Sequence, residues 1–275
     1  MRLDILDVLE LDVLDFLSLR FKVSKFQEFK VKNSIFYLQD IDLFMSVSAI
    51  VCAYNEEKTV KPILEVLLSH PKVDEVIVVD DGSTDRTGKV INSVKNQKLI
   101  VIHHKKNLCK GAAVAAAVRN AIGKILLLVD ADLKKFHPAH INLLLSPLEI
   151  DQRIMTIGIR ETGSIFEQNF KTLLKSFGGE RAVAKKMIGP ITSRIKSSGY
   201  GVEAIINLYH LQHNRKIIYI PLPGLFHKAK IEKHPFYKYA ADYIKENTEV
   251  IKQFLNPENK VLETFFRYLV KRLGL

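Results

Sequence analysis

The stretch Ile125-Leu126-Leu127-Leu128-Val129-Asp130-Ala131-Asp132 sets five large aliphatic residues in a row, preceded by Gly123 and ended by two carboxylates one residue apart. A short continuous apolar run of this kind reads as a strand buried on both faces, with charge at its C-terminal tip. Side chains alternate along a strand, so Asp130 and Asp132 project the same way if the chain stays extended and lie more loosely together if a turn begins at Ala131. In either arrangement they can hold a hard divalent cation, Mg²⁺ or Mn²⁺, that takes further oxygens from a diphosphate. The alternative is a strand cap, with both acids solvated or accepting from backbone N–H groups.

Working back from this strand, helix and strand patterns alternate. Val47–Cys52 reads as a strand running into Ala53-Tyr54-Asn55-Glu56-Glu57, and Val60, Ile63, Leu64, Leu67 and Leu68 mark one face of a helix that tolerates Pro62 in its first turn. The strand Val76–Val79 leads into Asp80-Asp81-Gly82-Ser83-Thr84-Asp85, where Thr84 or Asp85 can cap a helix with Val90, Ile91 and Val94 on its apolar face. A third strand spans Leu99–Ile102, and an Ala-rich helix from Gly111 to about Ala121 returns the chain to Ile125. Four such alternations with short links predict an α/β fold, a doubly wound and mostly parallel sheet with flanking helices.

In such a sheet, ligands bind beyond the carboxyl ends of the strands. The clusters at 55–57, 80–83, 107–111 and 130–132 all follow strands and should converge on that edge. Gly82 and Gly111 permit close backbone approach, the helix start near Gly111 offers N–H groups to phosphate, and Lys110 adds a point charge.

Composition narrows the class without naming it. The chain has 275 residues, 47% hydrophobic and 26% charged, with no apolar run long enough to span a bilayer. Cys52 and Cys109 indicate neither a disulfide scaffold nor a cysteine metal site. The N-terminus lacks a secretory pattern, which predicts a cytoplasmic protein. Net charge is +11, and the excess lies in residues 133–275, with 23 Lys and Arg against 12 Asp and Glu. Such a half favours an anionic partner: a phosphorylated or carboxylated acceptor, an anionic membrane or nucleic acid. No nucleic-acid recognition motif accompanies the charge, so nucleic acid is not the expected partner.

The combination of Ala49–Glu57, the Asp80–Asp85 loop, Lys110-Gly111-Ala112-Ala113 and Asp130-Ala131-Asp132-Leu133 resembles the nucleotide-sugar domain of family 2-type glycosyltransferases with the GT-A fold, over residues 47 to about 148. That resemblance implies nucleotide-sugar contacts at Ala53, Tyr54, Glu56, Asp81, Ser83, Lys110, Asp130 and Ala131, with Asp132 on the metal. UDP is the expected nucleotide, ahead of GDP. Two departures stand out: Cys109 occupies a position where these proteins often have Gly, and Leu133–Pro138 lacks the Gln common after the acidic motif in polyprenol-phosphate enzymes.

The second half is less regular. Ile154–Ile159 reads as a strand ending at Arg160, and Phe177-Gly178-Gly179-Glu180-Arg181-Ala182 as a glycine-hinged loop opening a helix. Gly179, Arg181 and Arg160 can receive an anionic acceptor beside a diphosphate site, or the glycines can form a plain turn. Glu203 falls in the first turn of an apolar helix, Ala204–Leu211, where an acid also suits the helix dipole. A strand over 217–223 follows, then His227. Gly199-Tyr200-Gly201-Val202-Glu203 and His227 resemble elements of glucosyl-3-phosphoglycerate synthases and mannosylglycerate synthase-like enzymes. By that resemblance Glu203 faces the acceptor or reacting sugar, and His227 joins Asp132 on the metal. Glu203 and Glu180 are the candidate bases for an inverting transfer.

The expected organisation is an N-terminal extension (1–44), which is either an amphipathic helix or a loose leader, a GT-A domain (45–230) with donor (45–148) and acceptor (149–230) halves, and C-terminal helices (231–275). The last helix carries an apolar face flanked by Arg267, Lys271 and Arg272, suited to packing on the body, to a homodimer contact or to a membrane surface at the inner face. The rival readings are a lipid-phosphate glycosyltransferase, a nucleotidyltransferase, a nucleic-acid binder and an inactive sugar-nucleotide binder.

Overall fold

A computed structural model describes residues 45–160 and 178–227. Among these residues, strands β1 (Val47–Ala53), β2 (Glu75–Asp80), β3 (Leu99–His103), β4 (Ile125–Asp130), β6 (Met155–Arg160), β7 (Arg181–Ala184) and β8 (Ile217–Leu222) form one mixed sheet in the order β3-β2-β1-β4-β7-β6-β8. β5 (Leu133–Lys134) and β9 (Phe226–His227) pair antiparallel in a separate two-stranded sheet. The connecting helices are α1 (Val60–Ser69), α2 (Thr87–Ser93), α3 (Cys109–Asn120), α4 (Pro138–Leu145), α5 (Lys185–Ile188), α6 (Thr192–Lys196) and α7 (Val202–Gln212).

The aliphatic run does what its composition requires. Ile125, Leu126 and Leu127 are fully buried, and β4 lies centrally between parallel β1 and antiparallel β7. All five expected apolar positions of α1 are buried. In α3 every residue from Gly111 to Val118 is buried, because small side chains let the helix lie close to its neighbours. Gly111 donates to Gly199 O at 2.8 Å, and a Cβ there would overlap Ile195 O, so only glycine allows this approach. At the amino end of the sheet, Glu75 accepts from Ser48 Oγ and, at 2.7 Å, from Ile122 N, which ties β1 and β2 to the turn before β4.

The chain builds β1, β2 and β3 outward and then crosses back to place β4 on the other side of β1. This reversal is the topological switch point at which open α/β sheets bind ligands. Cys52 and Asp130 are register partners there, and Ala53 pairs with Asp80.

The structure selects one sequence alternative and differs from one expectation. The acidic strand ends at Asp130 and a turn begins at Ala131, so of the two arrangements read for the carboxylates it is the turn that holds. The 177–182 stretch does not open a helix: Arg181–Ala184 is strand β7, wedged between β4 and β6, and the helix starts at Lys185. Before it, Glu180 O accepts from Gly158 N at 2.8 Å and Gly178 lies close against Gly158 O, so β6 holds this segment. The expected helices in 1–44 and 231–275 lie outside the described residues. Among the described residues no helix is long and apolar enough to cross a membrane.

His210, on α7, supplies a pH test of the fold. It is fully buried, Nδ1 donates to Ile206 O at 3.0 Å, and Nε2 has no hydrogen-bond partner. Burial pushes its pKa from 6.5 down to about 4. The unfolded chain therefore binds this proton more readily, and stability present above pH 6.5 is lost as pH falls towards 4, by about 3 kcal/mol in total. Urea unfolding should show this loss, and the loss should be smaller in His210→Leu.

Candidate active site

Three loops at the carboxyl edge are bonded into one rim. Asn55 adopts a left-handed φ of 57°, which asparagine tolerates, and its Oδ1 accepts from Thr84 N at 2.8 Å and Asp85 N at 3.4 Å. Asn55 N donates to Ser83 Oγ, and Glu56 N to Thr87 Oγ1. Asp85 Oδ1 accepts from Thr87 N at 2.8 Å, but the cap position of α2 is Arg86 and no side chain caps it, so neither Thr84 nor Asp85 is the N-cap. Asp81 N donates to Ala53 O at 2.9 Å, while Asp81 Oδ1 accepts from Leu108 N at 3.1 Å and meets His104 Nδ1 at 2.6 Å. In the same way Asp80 meets His103 Nδ1 at 3.2 Å and accepts from Ser83 N at 3.0 Å. Ala53, Tyr54, Glu56, Asp81 and Ser83 thus share this edge, with Tyr54 exposed. The two His–Asp pairs were not anticipated, although His103-His104 one strand away from Asp80-Asp81 is a readable signal.

The third loop ends at Cys109, whose φ of 71° lies in the left-handed region. This explains the departure from glycine: the backbone here keeps a glycine-like conformation and strains a side-chain-bearing residue. Cys109→Gly should therefore stabilise the protein by about 0.5–1 kcal/mol, read as a higher urea midpoint, since relief of strain exceeds glycine's entropic cost.

Lys110 follows, and it is the centre of the site. Its ammonium donates to Asp130 Oδ1 at 2.8 Å and to Glu203 Oε1 at 2.6 Å, and the three side chains are 27%, 17% and 12% exposed. Burial alone would lower the lysine's pKa, but the two carboxylates outweigh it and hold the group charged well above its ordinary value. Burial and the nearby acids push the neighbouring Cys52 thiol up to about 12 against the opposing pull of Lys110, so it stays protonated and non-nucleophilic.

The far wall comes from β7 and α7. Because β7 runs antiparallel to β4, with Leu128 opposite Arg181, the residues before Arg181 pass the carboxyl tip of β4. A Cβ on Gly179 would overlap Asp130 Oδ2, so this glycine lets the backbone close over the carboxylate. Glu180 is fully buried. Arg181, expected to meet an acceptor, is also fully buried, with Nη1 donating to Asn207 Oδ1 at 3.0 Å and Nη2 to Gly178 O at 2.5 Å. Its guanidinium serves the protein interior, which an exposed reading of the glycine loop does not foresee. Arg160 ends β6 opposite Leu222.

Ala131 is buried in the turn that carries Asp132, and the β5–β9 pairing sets the backbone of His227 opposite Leu133, next to Asp132 in sequence. Among the described residues no group of three or more potential ligands is preassembled. The donor chemistry still fits a hard cation that completes its shell with diphosphate and water oxygens.

The profile of glycosyl transferase family 2 matches residues 48–208. A UDP-Glc:alpha-D-GlcNAc-diphosphoundecaprenol beta-1,3-glucosyltransferase of Escherichia coli is 42% identical over 89 residues, 31% of this chain and 35% of the relative. A dolichyl-phosphate beta-glucosyltransferase of Trichomonas vaginalis is 35% identical over 94 residues, 30% of this chain and 28% of the relative. The chain thus spans about a third of the length of these curated relatives. Among solved structures, glucosyl-3-phosphoglycerate synthase from Mycobacterium tuberculosis, in complex with Mn²⁺, UDP-glucose and phosphoglyceric acid, superposes with a TM-score of 0.60 at 20% identity, covering 76% of this chain and 79% of that one. The strand order and its switch point are those of the GT-A fold, and the match over more than half its length makes this chain a member of glycosyl transferase family 2.

Proposed function

We propose that the crevice between β1 and β4 transfers a sugar from a nucleoside diphosphate, UDP ahead of GDP, to an anionic acceptor. The observation that carries this reading is the Lys110 ammonium shared by Asp130 and Glu203 at the switch point. A donor diphosphate entering there brings negative charge to a cation already in place, so Lys110 is positioned to stabilise the leaving diphosphate. The rim formed by Ala53, Tyr54, Glu56, Asp81 and Ser83 takes the nucleoside, with Asp130 and Ala131 beside the ribose. Asp132 and His227 would hold Mg²⁺ or Mn²⁺, which supplies Lewis-acid neutralisation of the diphosphate. Glu203, on the crevice side of α7, is the base that accepts the acceptor's proton in an inverting transfer; buried Glu180 is less accessible for that task.

Residues 45–148 serve the donor and 149–230 the acceptor. Phosphorylated or carboxylated small molecules fit the basic second half. A lipid-linked phosphate is the second reading, favoured by the acceptors named for the two curated relatives. It entails peripheral contact with the inner membrane face from a cytoplasmic location.

A thermal-shift panel of UDP-, GDP- and ADP-sugars with and without Mn²⁺, on the wild type and Asp132→Ala, tests the donor site and names the nucleotide. The expected result is stabilisation by a UDP-sugar that needs both Mn²⁺ and Asp132. Stabilisation by none of the donors would overturn the proposal.

A further inference from the structure

We infer that Arg181 is a positioning residue, whose buried guanidinium holds the two walls of the transfer crevice in register from beneath; this rests on the function proposed above. The other residues of β7, Ala182, Val183 and Ala184, are small and apolar, and the strand is fully buried. Placing a guanidinium in this layer is costly, and a well-packed apolar side chain would serve folding as well or better. Its contacts point to a different use. Nη2 reaches back to Gly178 O in the segment that leads into β7, and Gly179 in that segment closes against Asp130. Nη1 holds Asn207, which lies four residues after Glu203 and therefore on the same face of α7. One side chain thus ties the wall that meets Asp130 to the wall that presents Glu203, and both carboxylates share Lys110. The two bonds define one distance across the site.

The test measures UDP release from UDP-glucose with Mn²⁺, water serving as acceptor, together with UDP affinity by calorimetry. In Arg181→Met, kcat should fall about 100-fold, the usual effect of a displacement near 1 Å. UDP affinity should stay within about threefold, while the melting temperature falls, because Gly178 O, Asn207 and the nearby carboxylates of Glu203, Asp130 and Glu180 lose a buried cation. Arg181→Lys, which keeps the charge and can make one of the two bonds, should recover part of kcat. Asn207→Ala leaves Arg181 in place and removes one bond, so it should lower kcat by a smaller factor in a protein that folds even if Arg181→Met does not. Unchanged kcat in these variants, or a parallel loss of kcat and UDP affinity, overturns the inference while leaving the transferase reading intact. A wild type that releases no UDP overturns both.

Discussion

Replacing Lys110 by methionine should lower UDP release from UDP-glucose roughly 100- to 1,000-fold, the range expected when a preorganised charge is removed from a transfer centre. The same change should cost about 2–3 kcal/mol of stability, below the full value for a buried ion pair because the lysine is partly exposed. Methionine preserves the length and apolar stem of the side chain, so the loss isolates the ammonium. Asp130 and Glu203 then face each other without their shared cation. Urea unfolding, beside UDP release, checks both parts. A variant with normal turnover would remove Lys110 from the mechanism.

Gly179→Ala should have the second largest effect. The new Cβ overlaps the Asp130 carboxylate, so either that side chain rotates or the backbone before β7 retreats. Rotation breaks the 2.8 Å contact with Lys110 while the 2.6 Å contact between Lys110 and Glu203 can persist. Turnover should drop about 100-fold for a displacement of this size. Overpacking should cost about 1–3 kcal/mol. Gly123→Ala is the control, because its Cβ would crowd Ser48 Oγ at the opposite end of the sheet. That variant should lose stability without a specific loss of turnover. Equal turnover in Gly179→Ala and wild type would show that Gly179 does not set the position of Asp130 in the working enzyme.

Residues 45–148 were legible because each of their elements has a local cause. The aliphatic run of β4 has the composition of a strand buried on both faces, α1 has helical spacing, and each polar cluster sits directly after a strand. Parallel order then brings those clusters to one edge without knowledge of tertiary contacts. The second half was harder to read because its organisation is nonlocal. β7 has four residues, too few for periodicity to decide between strand and helix, and its conformation is fixed by antiparallel pairing with β4 and β6. The burial of Arg181 was illegible for the same reason. An arginine after Gly-Gly resembles an exposed anion contact, whereas the sheet draws it into the core and gives it to Asn207 and Gly178. Glu203 was identifiable as an acid at a helix start, but its meeting with Lys110, 93 positions earlier in the chain, is visible only in three dimensions. Cys109 marks the opposite case: resemblance identified a departure from glycine, and the φ of 71° supplies its physical meaning.

Nucleoside diphosphate release most directly tests the claim that the Asp130–Lys110–Glu203 crevice is a sugar-transfer centre. UDP-glucose would be incubated with Mn²⁺, alone and with phosphoglyceric acid or a polyprenol phosphate, and UDP followed for wild type, Asp132→Asn and Lys110→Met. The predicted result is slow metal-dependent release by wild type, acceleration by one of the two acceptors, and loss in both variants. Release that persists in both variants, or none from UDP- or GDP-sugars under any condition, would contradict it.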